Sequence, residues 1–116
     1  TTSGPTDTQL RLLSLGCSAD GTVTVFNVGD EDLEVSGVSV VNEPIFACGT
    51  FSTSYSGSST VTPGASMNIP VTYSGTSLCV DEFDLTGTGN KLHISSNDTS
   101  APVWTIDLAG DVACLF

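Results

Sequence analysis

Short apolar alternations, separated by turn residues, are the feature that most constrains this fold. Val, Ser, Thr and Gly dominate the sequence, whereas Ala, Glu, Lys, Arg and Gln, the good helix formers, are scarce. Apolar side chains recur at every second position, and clusters of Gly, Pro, Asn or Asp interrupt them. A period of two places one set of side chains on one face of a β-strand. The pattern therefore predicts an all-β domain.

The alternation predicts about seven strands, which is typical of a β-sandwich. In Thr22–Val28, for example, Val23 and Val25 share one face while Phe26 and Val28 share the other. A segment at Val80–Leu85 is a candidate for a further extended stretch. The predicted strands are Leu10–Leu15, Thr22–Val28, Leu33–Val41, a short strand ending near Val61, Ser66–Tyr73, Asn90–Ser96 and Pro102–Gly110.

Gly and Pro residues predict where the strands are irregular. The apolar phase slips at Gly37, which indicates a β-bulge. The segment Ser66–Tyr73 alternates cleanly with Pro70 on its outward face, and a proline within a strand predicts that this strand lies at an edge or carries a bulge. Residues 19–21 (Ala-Asp-Gly) are typical of a turn. Residues 1–9 are polar and contain a Gly-Pro pair, so we expect a tail or linker there and one domain over residues 10–116.

The chain contains four widely spaced cysteines, Cys17, Cys48, Cys79 and Cys114. No pair has the CxxC spacing of a zinc or redox site, and the one histidine, His93, adds no ligand cluster. An even number of cysteines in a small acidic domain favours two disulfides, with the connectivity open. Disulfides predict export to an oxidising compartment, extracellular or at the cell surface.

The charge balance excludes several partners. Asp and Glu number 13 against 2 Lys and Arg, for a formal net charge of -11. Nucleic acids and anionic membranes require a basic surface, which two cations do not supply. No run of about 18 apolar residues is present either, so no membrane insertion is predicted.

The acidic residues have two interpretations. A solubilising surface is the commoner use of such charge, and calcium binding is the alternative. Neither acidic group matches the EF-hand calcium loop, so the calcium hypothesis depends on charge density alone. Its candidate ligands are Asp30 and Asp32 with Asp98 at one end of the domain, and Asp81, Glu82 and Asp84 at the other.

An ordered set of short motifs extends from Leu10 to Val112. The motifs are Asn27-Val28-Gly29 followed by Leu33, a central Phe46 or Phe51, Pro63–Tyr73, Leu92–Asp98, and Pro102 followed by Ile106–Gly110. This order resembles the Hydin-type (ASH-like) immunoglobulin-like domain, a relative of the major sperm protein fold that occurs in bacteria as choice-of-anchor D modules. Two segments depart from the pattern: Cys48–Thr60 is longer, and Tyr73-Ser74-Gly75 replaces the usual Phe-x-Pro.

The resemblance implies an immunoglobulin-like sandwich with a scaffold, spacer or adhesion role and no shared catalytic residues. Counting strand directions places all four cysteines at one end of the domain. In the family the first and last strands run side by side, which implies the pairs Cys17–Cys114 and Cys48–Cys79.

The sequence favours no enzymatic chemistry and no cofactor. His93 alternates with inward-facing Leu92 and Ile94, so it should point to solvent rather than serve as a buried base. The carboxylate pairs Asp30/Asp32 and Asp81/Asp84 fall in turns, where Asp is common for local hydrogen-bonding reasons.

Three functional hypotheses follow. The first is a non-catalytic structural, adhesion or spacer module whose partners are proteins. The second is a subunit of a self-assembling extracellular filament that uses its N-terminal tail or an open sheet edge. The third is an accessory module that binds calcium or carbohydrate, with Tyr55 and Phe51 as the candidate sugar-binding rings.

Overall fold

A computed structural model describes residues 3–42, 48–83, 89–100 and 102–115. Strands are the only regular secondary structure among the described residues, and none of these residues belongs to a helix. The strands are β1 Gly4–Pro5, β2 Gln9–Ser14, β3 Ser18–Phe26, β4 Leu33–Val41, β5 Thr50–Ser52, β6 Ser59–Val61, β7 Ser66–Ser74, β8 Leu78–Asp81, β9 Lys91–Ser96 and β10 Val103–Ala113.

The strands form two sheets, which confirms the immunoglobulin-like β-sandwich. The first sheet has the order β1-β3-β7-β5. The second has the order β2-β10-β9-β4-β6, and β8 pairs with β10 beside β9. The predicted first and last strands, β2 and β10, lie side by side and run parallel. The described residues form ten strands rather than about seven, and the three additional strands, β1, β5 and β8, have only two to four residues each.

The core lies between the two sheets and follows the predicted alternation. Val23 and Val25 are buried, while Phe26 and Val28 are exposed on the opposite face of β3. The largest fully buried apolar side chains are Tyr73, Phe51, Ile69, Leu92, Ile94, Ile106, Leu108, Val25, Val35, Val71 and Val112. Burial of these side chains supplies the main stabilisation of the sandwich.

Two predicted irregularities are confirmed. The pairing of β4 with β9 shifts register between Val35 and Gly37, which is the bulge. Pro70 pairs with Thr22 of β3, but β5 pairs with β7 only from Ser74 to Thr72. The Pro70 end of β7 is therefore an edge, where the missing N–H removes no ladder hydrogen bond from a second neighbour.

The predicted turn at residues 19–21 is wrong. These residues belong to β3 and pair with Tyr73, Thr72 and Val71 of β7. Ala19 is buried, and a Cβ on Gly21 would come within 2.2 Å of the Leu12 side chain. Gly21 thus allows β2 to approach β3 closely, so its role is packing rather than turning.

Part of the predicted N-terminal tail lies in the first sheet. Gly4 and Pro5 pair with Phe26 and Val25, and the Thr6 amide donates a hydrogen bond to the Thr24 carbonyl. Gly4 has a φ of 138°, and a Cβ there would meet the Trp104 ring at 3.0 Å. The glycine therefore allows β1 to pass the indole ring of the opposite sheet.

The end of the sandwich away from the cysteines is organised by Asn27. This buried side chain donates hydrogen bonds to the Glu31 carbonyl at 2.7 Å and the Val61 carbonyl at 2.8 Å. Its Oδ1 accepts a hydrogen bond from the Gly29 amide at 3.0 Å. Asn27 therefore fixes the turn that carries Asp30 and Asp32.

We expect Gly110→Ala to lower the free energy of unfolding by about 1–3 kcal/mol, because it overpacks the core. A Cβ at Gly110 would lie 2.3 Å from the buried Tyr73 ring. Gly37→Ala is the matched control, since no atom lies within 4 Å of a Cβ at that bulge. Urea unfolding tests both variants, and equal effects of the two substitutions would contradict the proposed packing.

Candidate functional site at the disulfide end

Two disulfides cross-link one end of the sandwich and confirm the predicted pairs. Cys17, which follows β2, is joined to Cys114, which follows β10. Cys48, which precedes β5, is joined to Cys79 of β8. The first bond fixes β2 beside β10, and the second fixes β8 to the other sheet. The two segments that depart from the family pattern both contribute to this end.

A buried carboxylate, that of Asp81, connects the two sheets beside the second disulfide. The alternation of β8 turns Cys79 and Asp81 inward. The carboxylate accepts hydrogen bonds from the Cys48 amide at 3.1 Å, the Gly49 amide at 3.0 Å and the Tyr73 hydroxyl at 2.6 Å. Asp81 was a candidate calcium ligand only because it lies in an acidic segment. In the structure, both of its carboxylate oxygens accept hydrogen bonds from protein donors. Its role here is to hold the backbone at residues 48 and 49.

The Tyr73 ring is at the centre of this end. Burial, followed by the hydrogen bond to Asp81, raises the pKa of the Tyr73 hydroxyl above its ordinary value. The Phe51 ring packs against it with a centroid distance of 4.6 Å. Phe51 is 1% exposed, so this candidate sugar-binding ring belongs to the core and cannot stack on a ligand. Tyr55 is half-buried and donates a hydrogen bond to Ser59 Oγ at 2.6 Å.

An exposed ion pair lies on the outer face of the second sheet. The Arg11 guanidinium donates two hydrogen bonds to the Glu82 carboxylate, at 2.8 and 3.2 Å. It also lies 5.0 Å from the centroid of the Phe83 ring. Glu82 was a candidate calcium ligand, but its carboxylate binds this cation instead. The hydrogen bond from Arg11 lowers the pKa of Glu82 below its ordinary value.

We expect a carboxyl NMR titration to give Glu82 a midpoint below that of an ordinary glutamate. Because the pKa is lower in the folded state, the pair stabilises the fold above the ordinary Glu range, and this contribution is lost as the pH falls through the lowered value. Arg11→Gln should return the midpoint to the ordinary range. A midpoint unchanged by that substitution would show that Arg11 is not the cause.

Next to this ion pair, three strands present apolar side chains to solvent. We name this surface the apolar face; its members are Leu13, Leu15, Leu78, Val80 and Ala113 around Asp111. Asp111 pairs in register with Leu13 of β2 on one side and with Val80 of β8 on the other. Ala113 pairs with Leu78 in the next row.

The apolar face concentrates the exposed apolar side chains of the described residues. Nine large apolar residues are exposed among the described residues, and four of them belong to this face: Leu13 at 65%, Leu15 at 93%, Leu78 at 65% and Val80 at 53%. A shallow groove of about 450 Å³ runs between β2 and β10, lined by Leu13, Ser14, Leu15, Asp111 and Ala113. Contiguous apolar surface of this kind marks an interaction site more often than scattered exposed residues do.

The remaining calcium candidates give no metal site. Asp30, Asp32 and Asp98 line a shallow concavity at the opposite end, together with Asn27 and Asn97. Within the described ranges, no group of three or more His, Cys, Asp or Glu side chains is arranged to hold a metal ion. Asp84 lies outside the described residues.

The structure places His93 on β9, where its Nδ1 lies 3.2 Å from Thr105 Oγ1 on β10. The residue is half-buried between the buried Leu92 and Ile94, so it is not a fully buried base, and its contact is a threonine rather than a carboxylate. Lys91, two residues before His93 on β9, is buried and pairs with Asp107 of β10. In the part of the chain that the structure describes, no helix is long and apolar enough to cross a membrane.

Comparison with known proteins places the fold. No protein-family model matches the sequence, and no curated protein does. Among solved structures, the ASH/PapD-like domain 7 of human CEP192 is similar with a TM-score of 0.65 and 10% identity, over 100% of this chain and 88% of that one. The CupB2 chaperone of Pseudomonas aeruginosa is similar with a TM-score of 0.61 and 14% identity, over 91% and 53%. The secreted serine protease VesC of Vibrio cholerae is similar with a TM-score of 0.57 and 17% identity, over 96% and 23%.

These similarities show an immunoglobulin-like fold of the ASH/PapD type. At such low sequence identity, structural similarity shows a shared fold but does not show a shared function. The chain spans about half the length of the chaperone and less than a quarter of the protease. The likeness to the protease brings no catalytic residue to this chain.

Sequence reasoning missed two features of this end. The sequence analysis interprets Asp81 with Glu82 and Asp84 as one acidic group. The alternation of Asp81 with Cys79 is a signal that could have indicated an inward side chain. The apolar face was also missed, although Leu12-Leu13 and Leu15 give β2 apolar side chains on both faces. A strand with apolar residues on both faces either lies between two layers or exposes one of them.

Proposed function

We propose that this chain is a non-catalytic structural, adhesion or spacer module of an exported or cell-surface protein. The observation that carries the proposal is the pair of disulfides, which use all four cysteines and persist in oxidising compartments. The ASH/PapD-type fold supports a non-catalytic module, because the solved structures that resemble this chain include the CupB2 chaperone and the ASH/PapD-like domain of CEP192. Membership of the Hydin or choice-of-anchor D group is the finer form of the same proposal.

The structure gives less support to the other hypotheses. In a filament held through the N-terminal tail, the tail must be available to a neighbour, but Gly4 and Pro5 pair with β3 of their own chain. Carbohydrate platforms present exposed aromatic rings, whereas Phe51 is buried and Tyr55 is half-buried. The geometry therefore favours a protein partner.

Fractionation of the source cells tests the export step. We expect the chain outside the cytoplasm, and recovery from the cytoplasm alone would contradict the proposal. A domain exchange separates the roles: replacement by an unrelated sandwich of similar length preserves a spacer function and abolishes an adhesion function. Loss of a chemical activity after the exchange would contradict a non-catalytic role.

A further inference from the structure

We propose that the apolar face binds a segment of a partner protein in which a lysine or arginine lies between apolar side chains. The face comprises Leu13, Leu15, Leu78, Val80 and Ala113 around Asp111. The inference names the partner chemistry of the proposed adhesion or binding module and thus rests on that proposed function.

The shape of the face suits an extended or flat partner. Apart from Leu15, which directly follows β2, its side chains come from three adjacent strands in register, so the surface is a sheet face with a shallow groove between β2 and β10. Each disulfide fixes one side of it: Cys17–Cys114 lies beyond the Leu15 and Ala113 side, and Cys79 lies between Leu78 and Val80. A face ordered before binding loses little conformational entropy when a partner is bound.

The charges of the face identify the complementary partner. The chain has two Lys and Arg residues, and both are engaged: Arg11 by Glu82 and Lys91 by Asp107. Asp111 is exposed among aliphatic side chains, and within the described residues neither cation forms an ion pair with it, although the charge of Arg11 acts on Asp111 at longer range. A cation on the partner, flanked by apolar groups, would match both the charge and its surroundings.

The same charges disfavour a second copy of the chain as the occupant. A two-fold dimer through this face would bring Asp111 and Glu82 close to the same residues of the other copy. Each copy also carries a net charge of -11, so association would occur against strong repulsion. An anionic membrane is disfavoured by the same sign of charge.

A selection with random peptides displayed on phage tests the proposal on the intact, oxidised chain. We expect the enriched peptides to place Lys or Arg between aliphatic or aromatic residues. One enriched peptide is then synthesised, and its Kd is measured by fluorescence anisotropy. Asp111→Asn and Val80→Ser should each raise this Kd about tenfold, and added salt should weaken binding.

Val103→Ser is the matched control, because Val103 is also a half-exposed valine of the second sheet but lies at the far end of β10. It should leave the Kd within about twofold. Enriched peptides without a cation, an equal loss in Val103→Ser, self-association of the free chain in light scattering, or no enriched peptide would each overturn the inference. None of these results alters the proposal of an exported module, because that proposal is tested by where the chain is found.

Discussion

Replacing Cys17 and Cys114 together with alanine should lower the free energy of unfolding by about 4–5 kcal/mol. This bond joins residues separated by 97 positions, so it restricts nearly the whole unfolded chain. The Cys48–Cys79 bond closes a loop of 31 positions, and its double alanine variant should lose about 3–4 kcal/mol. Small domains have total stabilities of about 5–15 kcal/mol, so either loss is a large fraction.

Urea unfolding of the two double variants measures this difference directly. Both variants remove one buried cysteine, Cys114 or Cys79, so their packing losses are similar and the loop lengths distinguish them. Reduced wild-type chain is a further control and should be less stable than either variant. A larger loss for the shorter loop would contradict a mechanism that acts through the unfolded chain.

We expect Asp81→Ala to lower the free energy of unfolding by about 3–5 kcal/mol. The substitution removes the acceptor of three hydrogen bonds and leaves the Cys48 and Gly49 amides and the Tyr73 hydroxyl to find other partners. Gly49 and Tyr73 are buried, so water reaches their polar groups poorly. The cost is therefore mainly that of buried unsatisfied donors rather than that of a lost charge.

Two companion variants separate these contributions. Tyr73→Phe removes one donor and retains the carboxylate with its two amides, so it should cost only about 1 kcal/mol. Glu82→Ala removes the adjacent acidic residue, which is exposed, and should leave the urea midpoint close to that of the wild type. An Asp81→Ala variant as stable as Glu82→Ala would show that Asp81 does not support the backbone at residues 48 and 49.

Period-two alternation predicted the sandwich well, because burial between two sheets imposes that period on every long strand. Val23, Val25 and Ile69 are all buried as the pattern indicates. Disulfide pairing was predicted only through the family resemblance, since the spacing of four cysteines leaves the connectivity open. The side-by-side, parallel β2 and β10 explain why Cys17 meets Cys114.

The errors arose where tertiary contacts override local signals. Residues 19–21 have turn composition, but the pairing with β7 and the close approach of Leu12 to Gly21 make them part of a strand. Asp81 lies in an acidic segment typical of a surface, and although its alternation with Cys79 indicates an inward side chain, the donors that satisfy it come from a distant segment. The partners of both segments are distant in the sequence, so the local pattern of residues does not predict these contacts.

The thiol state of the chain in its source cells tests the account most directly. Cells are harvested into an alkylating agent that traps free thiols, and the chain is mapped by mass spectrometry without reduction. An exported, disulfide-linked module predicts no alkylated cysteine and two linked peptide pairs, Cys17 with Cys114 and Cys48 with Cys79. Alkylation of all four cysteines would show a reduced chain and contradict both the cross-linked end and the proposed export.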